Sequence, residues 1–169
     1  VKFVELGNEF YLNEAHHRSK FPNASDYAIA CNDWTSQLKA IAPFADVKVA
    51  VIGCDGGDDS PGRRRLWMER VLDNLDPQAQ IDAITIHQYY GNGLGSQPFS
   101  GSNANLKTML SRPFKEIERL KGHELLLINS FNEGSLSAYP LKTWITEFNL
   151  RTSGQGTIGT WAHGLFHAA

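Results

Sequence analysis

The chain has 169 residues, 41% hydrophobic and 20% charged, with a formal net charge of -2. That is the composition of an ordinary globular protein, neither disordered nor fibrous, and a charge so near zero gives no reason to expect nucleic acid or an anionic membrane as partner. The longest apolar stretches fall well short of the roughly 20 residues a membrane helix needs, and Cys31 and Cys54 are too few for a disulfide framework. These two cysteines can pair or stay reduced, so they do not fix the redox compartment.

Val1 opens directly into an apolar strand, without methionine or leader, so the natural N-terminus is expected upstream, together with any signal peptide. Residues 3–6 read as a strand. A polar stretch over 13–25 leads into a helix predicted over 26–41, with Ser25 or Asp26 as N-cap, closed by Pro43. Residues 47–53 (VKVAVIG) form a short β-branched run with the look of a strand buried on both faces. A Gly/Asp loop over 55–62 precedes a helix predicted over 63–74, and 81–88 reads as a third strand. Residues 91–105 form a long Gly/Ser/Asn loop, and 106–120 carry helical spacing. The ELLLI segment, 124–128, can extend that helix or form an extra strand, and is expected as an insertion packed beside the sheet. Residues 141–147 read as a fourth strand, and 160–169 begin another helix. Alternation of strand and helix predicts an α/β fold with a parallel sheet and crossover helices. Four such units do not close a (β/α)8 barrel of about 250 residues, so the expectation is about half of one, continued elsewhere.

Two of these strands end in glutamate. Val4-Glu5-Leu6-Gly7-Asn8-Glu9 and Trp144-Ile145-Thr146-Glu147-Phe148-Asn149 each turn polar at the carboxylate. In a parallel barrel those strand ends face the active site, and two facing carboxylates are the minimum equipment for cleaving a glycosidic bond. Strand alternation puts Thr85, His87 and Tyr89 on one face and Thr143, Ile145 and Glu147 on another; both faces are expected to point inward. Parity also turns Glu5 inward, where it needs a partner.

The Glu5-Leu6-Gly7-Asn8-Glu9 segment resembles the Asn-Glu signature of clan A glycoside hydrolases, particularly the heparanase-like, xylosidase-like and arabinofuranosidase-like branches. Ile84-Thr85-Ile86-His87-Gln88-Tyr89 resembles the sixth strand of that clan, and Ile145-Thr146-Glu147-Phe148 the seventh. The resemblance runs in order from strand four to helix seven. It implies a TIM barrel of which strands four to seven are present, and a retaining hydrolase acting on an oligosaccharide or polysaccharide. It also implies that Glu9 is the acid/base, Glu147 the nucleophile, Asn8 the contact to a sugar 2-hydroxyl, and Tyr89 the residue that orients the nucleophile. His87 lines the site on the same match. No cofactor is required, because both catalytic groups are side chains, and a secreted or extracellular protein is expected rather than a cytoplasmic one.

Plainer readings stand beside these. Glu9 and Glu147 can be solvent-facing or capping carboxylates, Asn8 a turn former, and His87 a hydrogen-bonded core residue. Trp161 can stack on sugar or pack between helices, whereas Trp34, Trp67 and Trp144 are expected to be structural. Asp55, Asp58 and Asp59 lack EF-hand spacing and are expected to form a solvated loop. His16 and His17 lie in a polar stretch without a third ligand, so no metal site is expected. Arg63 to Arg65 read as a basic helix face, with anionic sugar as the alternative. Two rivals remain at the level of the chain. One is a non-catalytic carbohydrate-binding or structural protein on a degenerate barrel. The other is an unrelated doubly wound fold, for which Gly53-Cys54-Asp55-Gly56-Gly57 lacks the phosphate-loop fingerprint.

Overall fold

A computed structural model of the chain describes residues 2–54, 62–90, 118, 124–134 and 140–150, with backbone alone for 88–90, 124–125 and 148–150. The chain divides into two compact units, one made of Val1–Ile86 and Glu124–Thr146, the other of His87–His123 and Glu147–Ala169. The division crosses two strands, each of which begins in the first unit and finishes in the second.

In chain order the elements are β1 (Phe3–Glu5), α1 (Ala15–Lys20), α2 (Ala24–Ala40), β2 (Lys48–Ile52), α3 (Trp67–Leu72), β3 (Ala83–Tyr90), α4 (Glu124–Gly134) and β4 (Lys142–Leu150). The strands form one parallel sheet in the order β1-β2-β3-β4. Val4 pairs with Val49, and Val51 with Ile84. Lys142 N donates to Asp82 O at 3.0 Å, which sets the starts of β3 and β4 side by side. Within the first unit the sheet curls until its two outer strands meet through side chains. The Phe3 and Trp144 rings pack edge to face with centroids 5.5 Å apart, and Thr146 Oγ1 donates to Glu5 Oε1 at 3.2 Å. The expected α/β fold with a parallel sheet is present as this curled half-barrel sheet.

Val49, Ala50, Val51 and Ile52 are each at most 1% exposed. The strand is thus covered on both faces, as its β-branched run demands. Register and alternation divide the faces: Phe3, Glu5, Ala50, Ile52 and Thr85 share the concave side, while Val4, Val51 and Ile84 face the helices. On that outer side α2 buries Tyr27, Ala28, Cys31 and Thr35. It packs on α3, which buries Trp67, Met68, Val71 and Leu72, and α4 packs on α3 in turn.

Several elements depart from expectation. The polar stretch before α2 contains a short helix, α1. The N-cap of α2 is Asn23 rather than Ser25 or Asp26. Its Oδ1 accepts from Asp26 N at 2.9 Å while its Nδ2 donates to the Asp26 carboxylate at 2.8 Å, a reciprocal pair that starts the helix early. The helix predicted over 63–74 is a 3-10 turn (Gly62–Arg64) followed by α3, because Leu66 takes a left-handed φ of 52° between them. The ELLLI segment is helical, within α4. In β4, Trp144 and Thr146 meet Phe3 and Glu5, where Thr143 and Ile145 were expected to point inward. Thr146 thereby supplies the partner Glu5 requires. Trp34 packs on Phe21 and Trp67 is buried, as expected of structural tryptophans. Cys31 and Cys54 are both buried and form no disulfide, and burial pushes the Cys31 thiol up to about 12. The loop over 91–105 and the helix at 160–169 lie outside the described residues, as does all but residue 118 of the helical segment at 106–120. Among the described residues no helix is long and apolar enough to cross a membrane.

Candidate active site

β1 stops at Glu5, and the next residues build a turn from parts far away in sequence. Leu6 N still reaches Ala50 O at 2.9 Å, but Gly7 N turns back to Glu5 O at 3.1 Å, with a φ of 116°. Glycine is required there on two counts: the backbone is left-handed, and a β-carbon would collide with the Phe10 ring and press on Ile52.

Two buried aromatic side chains complete the strand ends. The Tyr27 hydroxyl donates to Leu6 O at 2.9 Å and accepts from Ile52 N at 2.7 Å, and Trp67 Nε1 donates to Ile52 O at 3.1 Å. They satisfy backbone groups where the strand ladder ends. Burial, and next the Cys31 thiol beside it, hold the Tyr27 phenol well above its ordinary pKa, so it remains a hydroxyl.

Glu9 follows with a φ of 44°. Left-handed backbone in a non-glycine residue costs on the order of 1–3 kcal/mol and persists only where the surroundings over-determine it. Here the Glu9 carbonyl accepts from Leu12 N at 2.8 Å, closing the turn, and Tyr11 OH donates to Glu9 Oε1 at 2.8 Å. Tyr11 is buried, and burial, with the hydrogen bond and charge of Glu9 next, raises its phenol pKa far above the ordinary value. The Arg64 guanidinium lies 4.8 Å from the centroid of the Tyr11 ring. Glu9 itself is half-buried, and Asn8 is exposed beside it.

Arg63 to Arg65 do not make a basic helix face. Arg63 sits in the 3-10 turn and clamps the chain after Glu9. Its Nη2 donates to Phe10 O at 2.8 Å and Phe21 O at 2.7 Å, and its Nη1 to Pro22 O at 2.7 Å. Burial, and then the charge of Arg18, lower its pKa. A guanidinium spent on three carbonyls is a structural clamp, which leaves Arg63 no role as an anionic-sugar ligand.

In the second unit, the end of β3 presents His87 and the end of β4 presents Glu147. His87 Nδ1 lies 3.4 Å from Glu147 Oε2, with the imidazole 2% and the carboxylate 41% exposed. The imidazole is thus a buried neighbour of a partly exposed carboxylate. Sequence reasoning assigned the role of orienting Glu147 to Tyr89, whose side chain lies outside the described residues, as do Trp161 and Asp55, Asp58 and Asp59.

The structure therefore brings His87 and Glu147 together, and places Asn8 and Glu9 in the turn after β1 of the first unit. Sequence reasoning missed Tyr11 and Arg63. The one signal available for Tyr11 is a lone tyrosine two positions beyond the candidate acid. Arg63 gives no local signal, because its carbonyl partners lie 41 to 53 positions away. Compared with known proteins, the chain matches no family model and no curated protein sequence.

Proposed function

We propose that this chain carries the catalytic carboxylates of a retaining O-glycoside hydrolase, on strands four to seven of a (β/α)8 barrel, acting on an oligosaccharide or polysaccharide. The observation that carries the reading is that Glu9 lies just past the C-terminal end of β1 and Glu147 in the C-terminal half of β4, strands of one sheet, each beside a polar partner. Tyr11 holds Glu9 and His87 contacts Glu147. The left-handed backbone at Glu9 adds to it, since such conformations cluster at functional sites.

In this reading Glu147 attacks the anomeric carbon as Glu9 gives its proton to the leaving oxygen, and the glycosidic C–O bond breaks. Glu9 then takes a proton from water, whose oxygen displaces Glu147 from the same carbon, so configuration is retained. The negative charge of Glu147 favours the protonated form of a neighbouring acid, and its loss in the glycosyl-enzyme frees that acid to act as base. Asn8 contacts the sugar. No cofactor takes part in either step.

The test is a panel of aryl glycosides assayed with Glu147→Ala and Glu9→Ala in the protein carrying the whole barrel. Glu147→Ala is expected to abolish turnover of every substrate. Glu9→Ala should spare those with very good leaving groups, which need no proton. Full activity in Glu147→Ala overturns the assignment, and glycan binding without hydrolysis by the unaltered protein returns the carbohydrate-binding alternative.

A further inference from the structure

His16 and His17 play no part in that chemistry, and the structure changes their setting. They lie in α1 rather than a polar loop, and Glu14, immediately before the helix, supplies the third group that the sequence reading found wanting. Glu14 Oε2 is 3.4 Å from His16 Nε2, and a ring nitrogen of His17 lies within 4.8 Å of both ligand atoms. A tetrahedral ion with bonds of 2.0–2.1 Å holds adjacent ligand atoms about 3.3 Å apart. One edge of the triangle therefore already has that length, and the third vertex lies within 4.8 Å of both its ends.

The two exposed groups are the ones that can adjust to an ion. Glu14 and His16 are exposed, at 57% and 71%, and free to swing. His17 is fixed, only 8% exposed and packed edge-on to Phe10. Packing explains why the ring is buried but not its nitrogen: His17 Nδ1 is enclosed with no hydrogen-bond partner. Nor is the Glu14 carboxylate used elsewhere as a helix cap, since it makes no capping bond to α1.

We propose that Glu14, His16 and His17 form a binding site for a zinc-class divalent cation, with water completing the coordination. Two imidazoles and one carboxylate suit zinc, cobalt or nickel, whereas calcium and magnesium require an oxygen-only set. Bound metal would tie α1 to the Phe10 ring and thus to the turn that carries Glu9.

The experiment is calorimetric titration of the full chain with zinc, paralleled by cobalt(II) and its visible absorption, which reports coordination by protein ligands. Saturable zinc binding is expected, with cobalt absorption of tetrahedral intensity that zinc abolishes, and no response to calcium. The exposed variants Glu14→Gln and His16→Gln should fold normally by circular dichroism and weaken zinc by about tenfold or more. Histidine ring nitrogen shifts give a readout that does not depend on replacing the buried His17, whose signal should move on zinc addition. Absence of zinc binding up to millimolar concentration overturns the proposal, as does unaltered affinity in both variants.

Discussion

The two ends of the sheet in the first unit treat carboxylates in opposite ways. At the end where strands begin, Asp82 is 11% exposed and surrounded by donors: Lys48 Nζ at 2.8 Å, Lys39 Nζ at 2.9 Å and Val49 N at 3.0 Å. At the end where strands finish, the Glu9 carboxylate is held by a neutral phenol, on a backbone turned left-handed and clamped by Arg63 through Phe10. An acid matched to two cations is committed to the fold. One gripped by a hydroxyl on a left-handed turn has its direction set by the local fold. Under the proposed function, stability at the start of the strands and chemistry at their finish would match the division of labour of a parallel barrel.

Breaking the Glu9 end should have the largest effect on the molecule. In Gly7→Ala the new methyl meets the Phe10 ring in a left-handed backbone. Strain and overpacking together predict a loss of about 3 kcal/mol, read from urea unfolding. Tyr11 fluorescence quenching should change with it, as Phe10 and the turn are pushed outward.

Asp82→Asn tests the other end. Burial pushes the Asp82 pKa upward, but the bonds from Lys48, Val49 and Lys39 prevail and hold it below its ordinary value of 3.8. A carboxyl with a lowered folded pKa stabilises the fold above the unfolded pKa, and that stability is lost as pH falls through the folded value. The asparagine variant should therefore be weaker by about 2 kcal/mol near neutrality, the half-exposed Lys48 keeping the figure below that of a fully buried pair. The difference should shrink steadily below pH 3.8. A stability gap independent of pH would show that Asp82 acts through packing rather than charge.

How far these features were legible in the sequence follows from the range of the interactions that make them. β2 was readable because its burial on both faces is written into consecutive apolar residues. The two strands that carry or precede the glutamates were readable from their β-favouring runs, although β4 continues past Glu147 to Leu150. The Asn23 cap was missed because Ser25 and Asp26 offer equally good capping chemistry, and only the reciprocal bond with Asp26 selects between them. The contacts of β4 could not be read at all: Trp144 and Thr146 are met by Phe3 and Glu5, some 140 positions earlier. Arg63 was misread for a related reason. Three successive arginines look like a solvated face until the carbonyls of Phe10, Phe21 and Pro22 converge on one of them.

Tyr11→Phe should have the smallest effect on the fold and says the most about Glu9. It removes only the hydroxyl that donates to Glu9 Oε1, leaving the ring against Trp67 and beneath Arg64. The net stability of one such bond is about 1 kcal/mol. Because burial and the Glu9 carboxylate raise the Tyr11 pKa, the phenol donates throughout the working pH range. A donor facing a carboxylate favours its ionised form, so the variant must bind the Glu9 proton more tightly. With Glu9 as acid, the alkaline limb of kcat/KM should then move upward by about half a unit to one unit. A residue that merely packs would lower activity without moving that limb. An unmoved limb with normal folding would separate Tyr11 from the acid/base role, and leave Glu9 positioned by its backbone turn alone.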